Sequence, residues 1–220
     1  VLEGSTLNAR QFATQGSREK MAAQIFTGTE HFRSGASKVT KDTPEPYKKV
    51  QSWLQVSYQN ETYHKVSPKF TLGAYLEAYY SSRNFSNNYT ATLMQAGEFT
   101  PTAHSKVTYN EAFRANQYAG VGAMPIYQLS ESFQLRGEFY GFVPIFPIKK
   151  DEYGQAYYGK AFTKFEYLGE ISLVFQLSFG SISAYVNHYS SPSNDWNVGL
   201  TLGWQLSLIH ISEPTRPLYI

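Results

Sequence analysis

The fold of this 220-residue chain is decided by a stretch that reads KFTLGAYLEAYYS, from Lys69 to Ser81. Its apolar residues fall at every second position: Phe70, Leu72, Ala74, Leu76, Ala78 and Tyr80. The positions between them carry Thr71, Gly73, Tyr75, Glu77 and Tyr79. A period of two is the period of an extended strand, whose successive side chains point to opposite faces. The stretch therefore predicts a β-strand with one apolar face and one more polar face.

The same alternation recurs in SFQLRGEF at 132–139, FEYLGEISLVFQL at 165–177 and WNVGLTLGWQ at 196–205. We predict an all-β protein, an antiparallel meander of about nine long strands. They lie near residues 20–32, 47–59, 69–81, 89–98, 115–128, 132–145, 165–177, 181–189 and 196–205. Strands of soluble domains average about five or six residues, and about ten residues is the length with which a tilted strand crosses a bilayer. The length of these strands favours a transmembrane β-barrel.

The connections between the predicted strands alternate in length. Those at 129–131 and 178–180 are tight, whereas those at 99–114 and 146–164 are long. Short turns on one rim and long loops on the other are typical of outer-membrane barrels. The connection from Arg33 to Pro46 is also long, which breaks the alternation at the first strand.

The chemistry of the two strand faces separates a membrane barrel from a soluble one. A soluble β-barrel or sandwich buries its apolar face in a core, whereas a membrane barrel turns that face toward lipid. The polar faces here carry Glu, Arg, Gln, Asn and Gly together with Tyr, which suits a hydrated or hydrogen-bonded lumen. We therefore favour the membrane barrel and keep the soluble barrel as the alternative. Aromatic girdles at the membrane interfaces are predicted to contain Tyr79, Tyr80, Tyr89, Tyr140, Phe142, Tyr185, Tyr189, Trp196 and Trp204.

Four charged residues fall on the polar faces of two consecutive strands. Arg136 and Glu138 lie on one strand, and Glu166 and Glu170 lie on the next. We predict that they form a charge network in the lumen that fixes the register of the two strands. Glu166 and Glu170 would lie about 13 Å apart along one strand, which exceeds the separation of catalytic carboxylates in glycosidases. The predicted role of the four is therefore structural.

Composition excludes several other functions. The chain has no cysteine and a net charge of +2 without a basic cluster, which excludes thiolate chemistry and makes a nucleic-acid partner unexpected. The histidines at 31, 64, 104, 188 and 210 lack the spacing of metal ligands. The sequence has no G-x-S-x-G motif, which a serine hydrolase of the nucleophile-elbow type requires. We predict no catalytic residue, no metal and no cofactor.

The two ends of the sequence differ from the rest. The chain begins at Val1 with neither a start methionine nor a signal-peptide pattern, and residues 1–19 are predicted to be a poorly defined N-terminal piece. Residues 206–216 read LSLIHISEPTR, which looks like a translated sequencing adapter. We therefore interpret 206–220 as a non-biological tail and 20–205 as a partial outer-membrane barrel from a gene fragment.

A family resemblance rests on three segments between Tyr109 and Gln205. They read YNEAFRANQYAGVGAMPIY, LRGEFYGFVPIFPIKKDEYGQAYYGKAF and FEYLGEISLVFQLSFGSISAYVNHYSSPSNDWNVGLTLGWQ. This region resembles the C-terminal barrel of patatin-like phospholipases from Bacteroidetes, which is akin to that of bacterial surface antigens. It covers about half of the chain strongly and the rest weakly.

The resemblance implies an outer-membrane anchor or translocator for a lipid acyl hydrolase of lipid metabolism. In that family the catalytic Ser of G-x-S-x-G and the Asp of a D-G pair precede the barrel, so neither role can be assigned to any residue here. The implied partners are outer-membrane lipids and the barrel assembly machinery, and the implied location is the bacterial outer membrane. The alternative function is a passive porin or surface adhesin without an enzyme domain.

Overall fold

A computed structural model of the chain describes residues 1–33, 47–86, 88–191 and 196–204. The strands are β1 (Leu2–Ser5), β2 (Gly16–Phe32), β3 (Tyr47–Lys65), β4 (Phe70–Ser81), β5 (Gly97–Glu98), β6 (Arg114–Ala115), β7 (Gln117–Gln128), β8 (Phe133–Pro144), β9 (Ile148–Lys150), β10 (Ala156–Tyr158), β11 (Glu166–Leu177), β12 (Gly180–Tyr189) and β13 (Trp196–Trp204). The helices are α1 (Tyr89–Gln95) and two 3₁₀ turns, Ser105–Val107 and Glu111–Phe113. None of these helices has the length and hydropathy that a membrane-spanning helix needs. The predicted tail at 206–220 lies outside the described residues.

One antiparallel sheet of nine strands dominates the fold. Its order is β1-β2-β3-β4-β7-β8-β11-β12-β13, so each strand pairs with its neighbours along the chain, apart from the short excursions at β5, β6, β9 and β10. These four short strands form two separate pairs. Within the described residues β1 and β13 are the two edges of the large sheet. The predicted all-β antiparallel meander of nine strands is confirmed.

The prediction of a strand at 89–98 is wrong, because residues 89–95 form α1. The Asn88 side chain accepts a hydrogen bond of 2.7 Å from the backbone N–H of Ala91, which caps the first turn. The sequence of the helix, YTATLMQ, contains Ala, Leu, Met and Gln, which favour helix over strand. The large sheet still has nine strands because β1 belongs to it. β1 lies within the segment 1–19 that the sequence predicts to be poorly defined.

This correction restores the alternation of loop lengths. The connections at 6–15, 66–69, 129–132 and 178–179 lie at one end of the strands, which we call the short-turn rim. The connections that follow β2, β4, β8 and β12 leave the sheet at the other end, which we call the long-loop rim. Because 89–98 is not a strand of the sheet, the strands before it run in the opposite direction to the one predicted. The connection between β2 and β3 therefore belongs to the same rim as the other long loops. Its residues 34–46 lie outside the described part of the chain.

The sheet turns its apolar face outward. Five leucines that a soluble barrel would bury are 43% to 79% exposed: Leu72, Leu76, Leu135, Leu173 and Leu200. The outward positions of β4, β7, β8, β11, β12 and β13 hold no Asp, Glu, Lys or Arg within the described residues. The opposite face of these strands is concave and largely buried. This arrangement is the reverse of a soluble barrel with a dry, leucine-filled interior.

The concave face encloses an aromatic core rather than an aliphatic one. Phe99 and Phe113, from the long connection between β4 and β7, pack there against Tyr118 and Phe142. Several aromatic residues predicted for the membrane girdles belong to this interior: Tyr79, Tyr140, Phe142, Tyr185 and Tyr189. On each strand they lie at the same alternate positions as the inward-facing polar residues, such as Glu77 on β4, Glu138 on β8 and Asn187 on β12, which places them inside. Tyr80 and Trp196 do face outward, Tyr89 lies on α1, and the Trp204 side chain is outside the described set.

Candidate functional site

The candidate site is the concave interior of the sheet. All four residues predicted to form the charge network lie on this face and are buried, namely Arg136, Glu138, Glu166 and Glu170. Buried charges require partners, because removing a charge from water is costly unless ion pairs or hydrogen bonds compensate. The contacts of these four side chains therefore show which strands and loops are joined inside the sheet.

Arg136 is the centre of the first cluster. Its Nε lies 2.5 Å from Oε1 of Glu138 on the same strand, β8. Its Nη2 donates to the Tyr63 hydroxyl at 2.7 Å, and its Nη1 donates to the backbone carbonyl of Ala13 at 2.9 Å. The Tyr140 hydroxyl donates to Oε2 of Glu138 at 2.9 Å. One guanidinium thus links β8, β3 and the connection between β1 and β2.

Glu170 belongs to a second cluster, which contains His104 from the long connection between β4 and β7. Oε1 of Glu170 lies 2.8 Å from Nδ1 of His104, and Nε2 of His104 lies 2.7 Å from Oγ1 of Thr201 on β13. The imidazole also stacks on the Tyr185 ring, with centroids 3.4 Å apart. The amide of Asn187 donates to Oε2 of Glu170 at 3.5 Å. His104 therefore fastens the long connection to β11, β12 and β13.

In the structure the four charged residues do not form one network between the two strands but have separate partners. Arg136 lies opposite Ser172 on β11 and pairs along its own strand with Glu138, so it reaches neither Glu166 nor Glu170. Glu166 instead pairs with Lys164 at 3.2 Å and accepts a short hydrogen bond from Ser190. Glu170 does lie directly opposite Glu138 in the sheet register. The four charges thus share one face, but their partners come mostly from loops and from distant strands.

A third cluster, around Glu77 on β4, was not singled out from the sequence. Its carboxylate accepts hydrogen bonds from the hydroxyls of Tyr75 at 2.5 Å and Tyr118 at 2.6 Å. Tyr75 also accepts from the Gln59 side chain at 2.6 Å, which extends the cluster to β3. The alternation at 69–81 places Glu77 on the polar face, so its inward direction could be read from the sequence. Its tyrosine partners could not, because they depend on how the strands pair.

Two connections fold into the interior from opposite rims. The core loop, residues 97–116, enters from the long-loop rim and contributes the buried side chains Phe99, Ala112 and Phe113. The rim loop, residues 6–15, enters from the short-turn rim and contributes Ala13. A cavity of about 260 Å³ lies between the two loops and the walls of the sheet. The interior is therefore largely filled by the chain itself.

Tyrosine side chains on the inner face lie over glycines on neighbouring strands. Tyr140 on β8 covers its register partner Gly122 on β7, and the same relation holds for Tyr63 with Gly73 and for Tyr185 with Gly199. An added Cβ would come within 2.2 Å of the Tyr140 ring at Gly122, 2.8 Å of the Tyr63 ring at Gly73 and 2.5 Å of the Tyr185 hydroxyl at Gly199. The missing side chain is thus what lets each ring lie flat against the sheet.

We expect Gly122→Ala to lower the free energy of unfolding by about 1–3 kcal/mol, the usual range for overpacking a filled interior. The added methyl group would displace the Tyr140 ring and weaken the hydrogen bond of its hydroxyl to Glu138. Urea unfolding followed by tryptophan fluorescence measures the change. Gly4→Ala is the matched control, since no atom of the described residues other than its own and those of its two chain neighbours lies within 4 Å of its added Cβ. Equal stability of the two variants would contradict the packing explanation.

Outside the strands, the helix α1 rests against the short strand β9. Leu93, Ala96 and Ile148 form a small separate core there, and Tyr89 packs beside it. Burial raises the pKa of the Tyr89 phenol above its ordinary value, with smaller contributions from Glu111 and Tyr109. This cluster is thus an apolar contact at the long-loop rim, separate from the main core.

The interior shows no sign of a metal centre in the part of the chain that the structure describes, since no three His, Asp or Glu side chains converge there. The sequence matches no protein-family model and no curated protein. The ion pairs and hydrogen bonds of the interior fasten loops to strands.

Proposed function

We propose that this chain forms part of a β-barrel in the bacterial outer membrane, where it anchors or translocates an enzyme. The observation that carries the proposal is the direction of the two sheet faces. Across β4, β7, β8, β11, β12 and β13 the outward positions of the described residues are uncharged and mostly apolar, while Arg136, Glu138 and Glu170 are buried inside. Soluble monomers rarely expose apolar patches larger than a few hundred Å², and a lipid-facing surface is the natural environment of such a face.

The filled interior favours an anchor or translocator over a passive porin. A porin needs an open, water-filled lumen. Here the core loop packs Phe99 and Phe113 against the inner face, and His104 ties that loop to three strands. The porin remains the alternative function, and it would require the core loop to leave the interior.

The enzyme that the barrel would serve is suggested by the resemblance of residues 109–205 to the barrel of patatin-like phospholipases. On this proposal lipid acyl hydrolysis takes place in a separate domain, and outer-membrane lipids and the barrel assembly machinery are the partners of the strands. The gene sequence upstream of Val1 tests this part. A G-x-S-x-G motif followed by a D-G pair supports the hydrolase, whereas a signal peptide leading directly into strands supports the porin.

Spin labels test the membrane location. The chain has no cysteine, so a single introduced thiol is the only one that a nitroxide can modify. Ile171→Cys and Leu173→Cys place labels on the outward face of β11, and Leu129→Cys places one in a turn of the short-turn rim. After refolding into dilauroyl phosphatidylcholine vesicles, we expect the first two labels to collide with oxygen and to be shielded from a water-soluble nickel chelate. The label at 129 should collide with the nickel chelate.

The outcome separates the two environments. If the nickel chelate reaches positions 171 and 173 as readily as position 129, the outward face is in water and the membrane proposal is wrong. Release of a trapped dye from the same vesicles separates anchor from porin. The anchor predicts release no faster than from vesicles without protein, and rapid release supports the porin.

A further inference from the structure

We propose that the rim loop, residues 6–15, is a hinged gate that closes the interior at the short-turn rim. The gate goes beyond the proposed function and rests on the contacts of the fold alone. When it swings out, the cavity between the rim loop and the core loop opens toward that rim. Four features of the structure carry this inference: the internal bonding of the loop, the way it is seated, its strained tip and its base.

The rim loop holds its own shape. Oδ1 of Asn8 accepts hydrogen bonds from the backbone N–H groups of Thr14 at 3.0 Å and Gln15 at 3.1 Å, and its Nδ2 donates to Oγ1 of Thr14 at 3.0 Å. The backbone N–H of Asn8 also donates to the Gln15 carbonyl at 3.1 Å. The two ends of the loop tip are therefore joined through one side chain. Such a loop can move as a unit without unfolding.

The seat of the loop combines hydrogen bonds with the packing of Leu7 and Ala13 against the aromatic core. The Ala13 carbonyl accepts from Arg136 at 2.9 Å, and the Ser181 hydroxyl on β12 donates to Oε1 of Gln11 at 2.8 Å. The Gln176 side chain makes longer contacts of 3.4 Å with the Gln11 and Phe12 carbonyls. Water can replace each of these hydrogen bonds when the loop leaves. The loop starts between β1 and β2 and reaches β12, so it joins strands that lie near the two ends of the strand order.

The core loop is held by more buried residues than the rim loop. Phe99, Ala112, Phe113 and Ala115 of the core loop are all at most 5% exposed, whereas Ala13 is the one buried residue in the rim loop, which the structure describes throughout. Segments with few buried apolar contacts open at a lower free-energy cost than segments in the core. Opening at the short-turn rim is therefore favoured over opening at the long-loop rim.

The tip and the base of the rim loop have unusual backbone conformations. Phe12 at the tip has φ of 52°, in the left-handed region that is unfavourable for residues other than glycine. Gly16 at the base has φ of 94°, and a Cβ there would lie 2.2 Å from the Thr6 carbonyl oxygen. Gly16 is the position at which the backbone can turn, because it carries no side chain.

The cavity that the gate covers is lined by both loops and by the strands. Arg10 and Gln11 line it from the rim loop, Thr102 and Lys106 line it from the core loop, and Thr201 lines it from β13. Ser181 lines the same cavity beside the seat of Gln11 and is buried in the closed form. The accessibility of position 181 to a water-soluble reagent therefore reports the position of the gate.

Thiol modification tests the gate in detergent micelles. Because no bilayer is needed, a negative result for the gate is distinct from a negative result for the membrane proposal. Ser181→Cys reports on the gate, and Ser105→Cys, equally buried in the core loop, is the matched control. We expect Asn8→Ala to speed the reaction of the thiol at position 181 with a charged maleimide several-fold by loosening the loop. Replacing residues 9–13 with two glycines should speed it at least tenfold. Gln15→Ala, an exposed change on the same loop at a residue whose hydrogen bonds are made by its backbone, should leave the rate unchanged.

In both loop variants the thiol at position 105 should react at the rate that it has in the parent chain. Equal acceleration at positions 105 and 181 would mean that the loop is part of the structural core, and the gate is then wrong. The gate is equally wrong if shortening the loop leaves the rate at position 181 unchanged. Selective acceleration at position 181 in both variants supports it.

Discussion

Arg136→Met is expected to lower the free energy of unfolding by about 3–5 kcal/mol, the typical cost of breaking a buried ion pair by removing one partner. The substitution leaves the Glu138 carboxylate buried beside an apolar side chain. It also removes the donors to the Tyr63 hydroxyl and the Ala13 carbonyl. Urea titration of the refolded chain, followed by tryptophan fluorescence, measures the loss.

The control for this experiment is a similar ion pair near the surface. Arg18 and Glu61 lie 3.0 Å apart, but the Arg18 side chain is 36% exposed, so Arg18→Met should cost no more than about 1 kcal/mol. The double variant Arg136→Met with Glu138→Leu should recover part of the loss, because neither charge is then left unpaired. If Arg136→Met is no more destabilising than Arg18→Met, Arg136 does not organise the interior.

Ile171→Arg is expected to cost about 2–4 kcal/mol when unfolding is measured in lipid vesicles. Ile171 lies at the middle of β11 on the outward face, where the proposed bilayer midplane would be. A charge at that depth loses its hydration, whereas one near the interface keeps it. Leu129→Arg, in a turn of the short-turn rim, should therefore cost only about 0–1 kcal/mol.

The same pair of variants shows whether the outward face is dry. On a surface in water, replacing an exposed isoleucine by arginine changes stability by about 0.5 kcal/mol or less. A cost for Ile171→Arg that matches that of Leu129→Arg in vesicles would therefore contradict the membrane proposal. A large difference between the two sites would support it independently of the spin labels.

The sequence predicted the sheet well because the alternation of side chains is a local property. At 69–81 and 165–177 it placed Leu76 and Leu173 on one face and Glu77 and Glu170 on the other, as the structure has them. It failed at 89–98, where a short stretch with weak alternation forms a helix that Asn88 caps. Helix formation there depends on one side-chain hydrogen bond, which a period of two does not reveal.

The contacts of the candidate site could be predicted only in part. The inward direction of four residues followed from the alternation of side chains along their strands, namely Arg136, Glu138, Glu166 and Glu170. Their partners did not, because they come from far along the chain. His104 is 66 positions from Glu170, and Tyr63 is 73 positions from Arg136. No spacing rule in the sequence connects a loop histidine to a carboxylate on a strand that distant.

The strand order of the large sheet has a consequence for the way in which the protein folds. Each large strand pairs with the next one along the chain, so hairpins can form in succession without long-range searches, which favours rapid folding. The bonds from Arg136 to Ala13 and from His104 to Thr201 join residues 123 and 97 positions apart. These bonds can form only after the intervening hairpins are in place. The two loops therefore pack into the interior at the end of folding. Before that step, an assembly intermediate has paired strands but an unfilled interior.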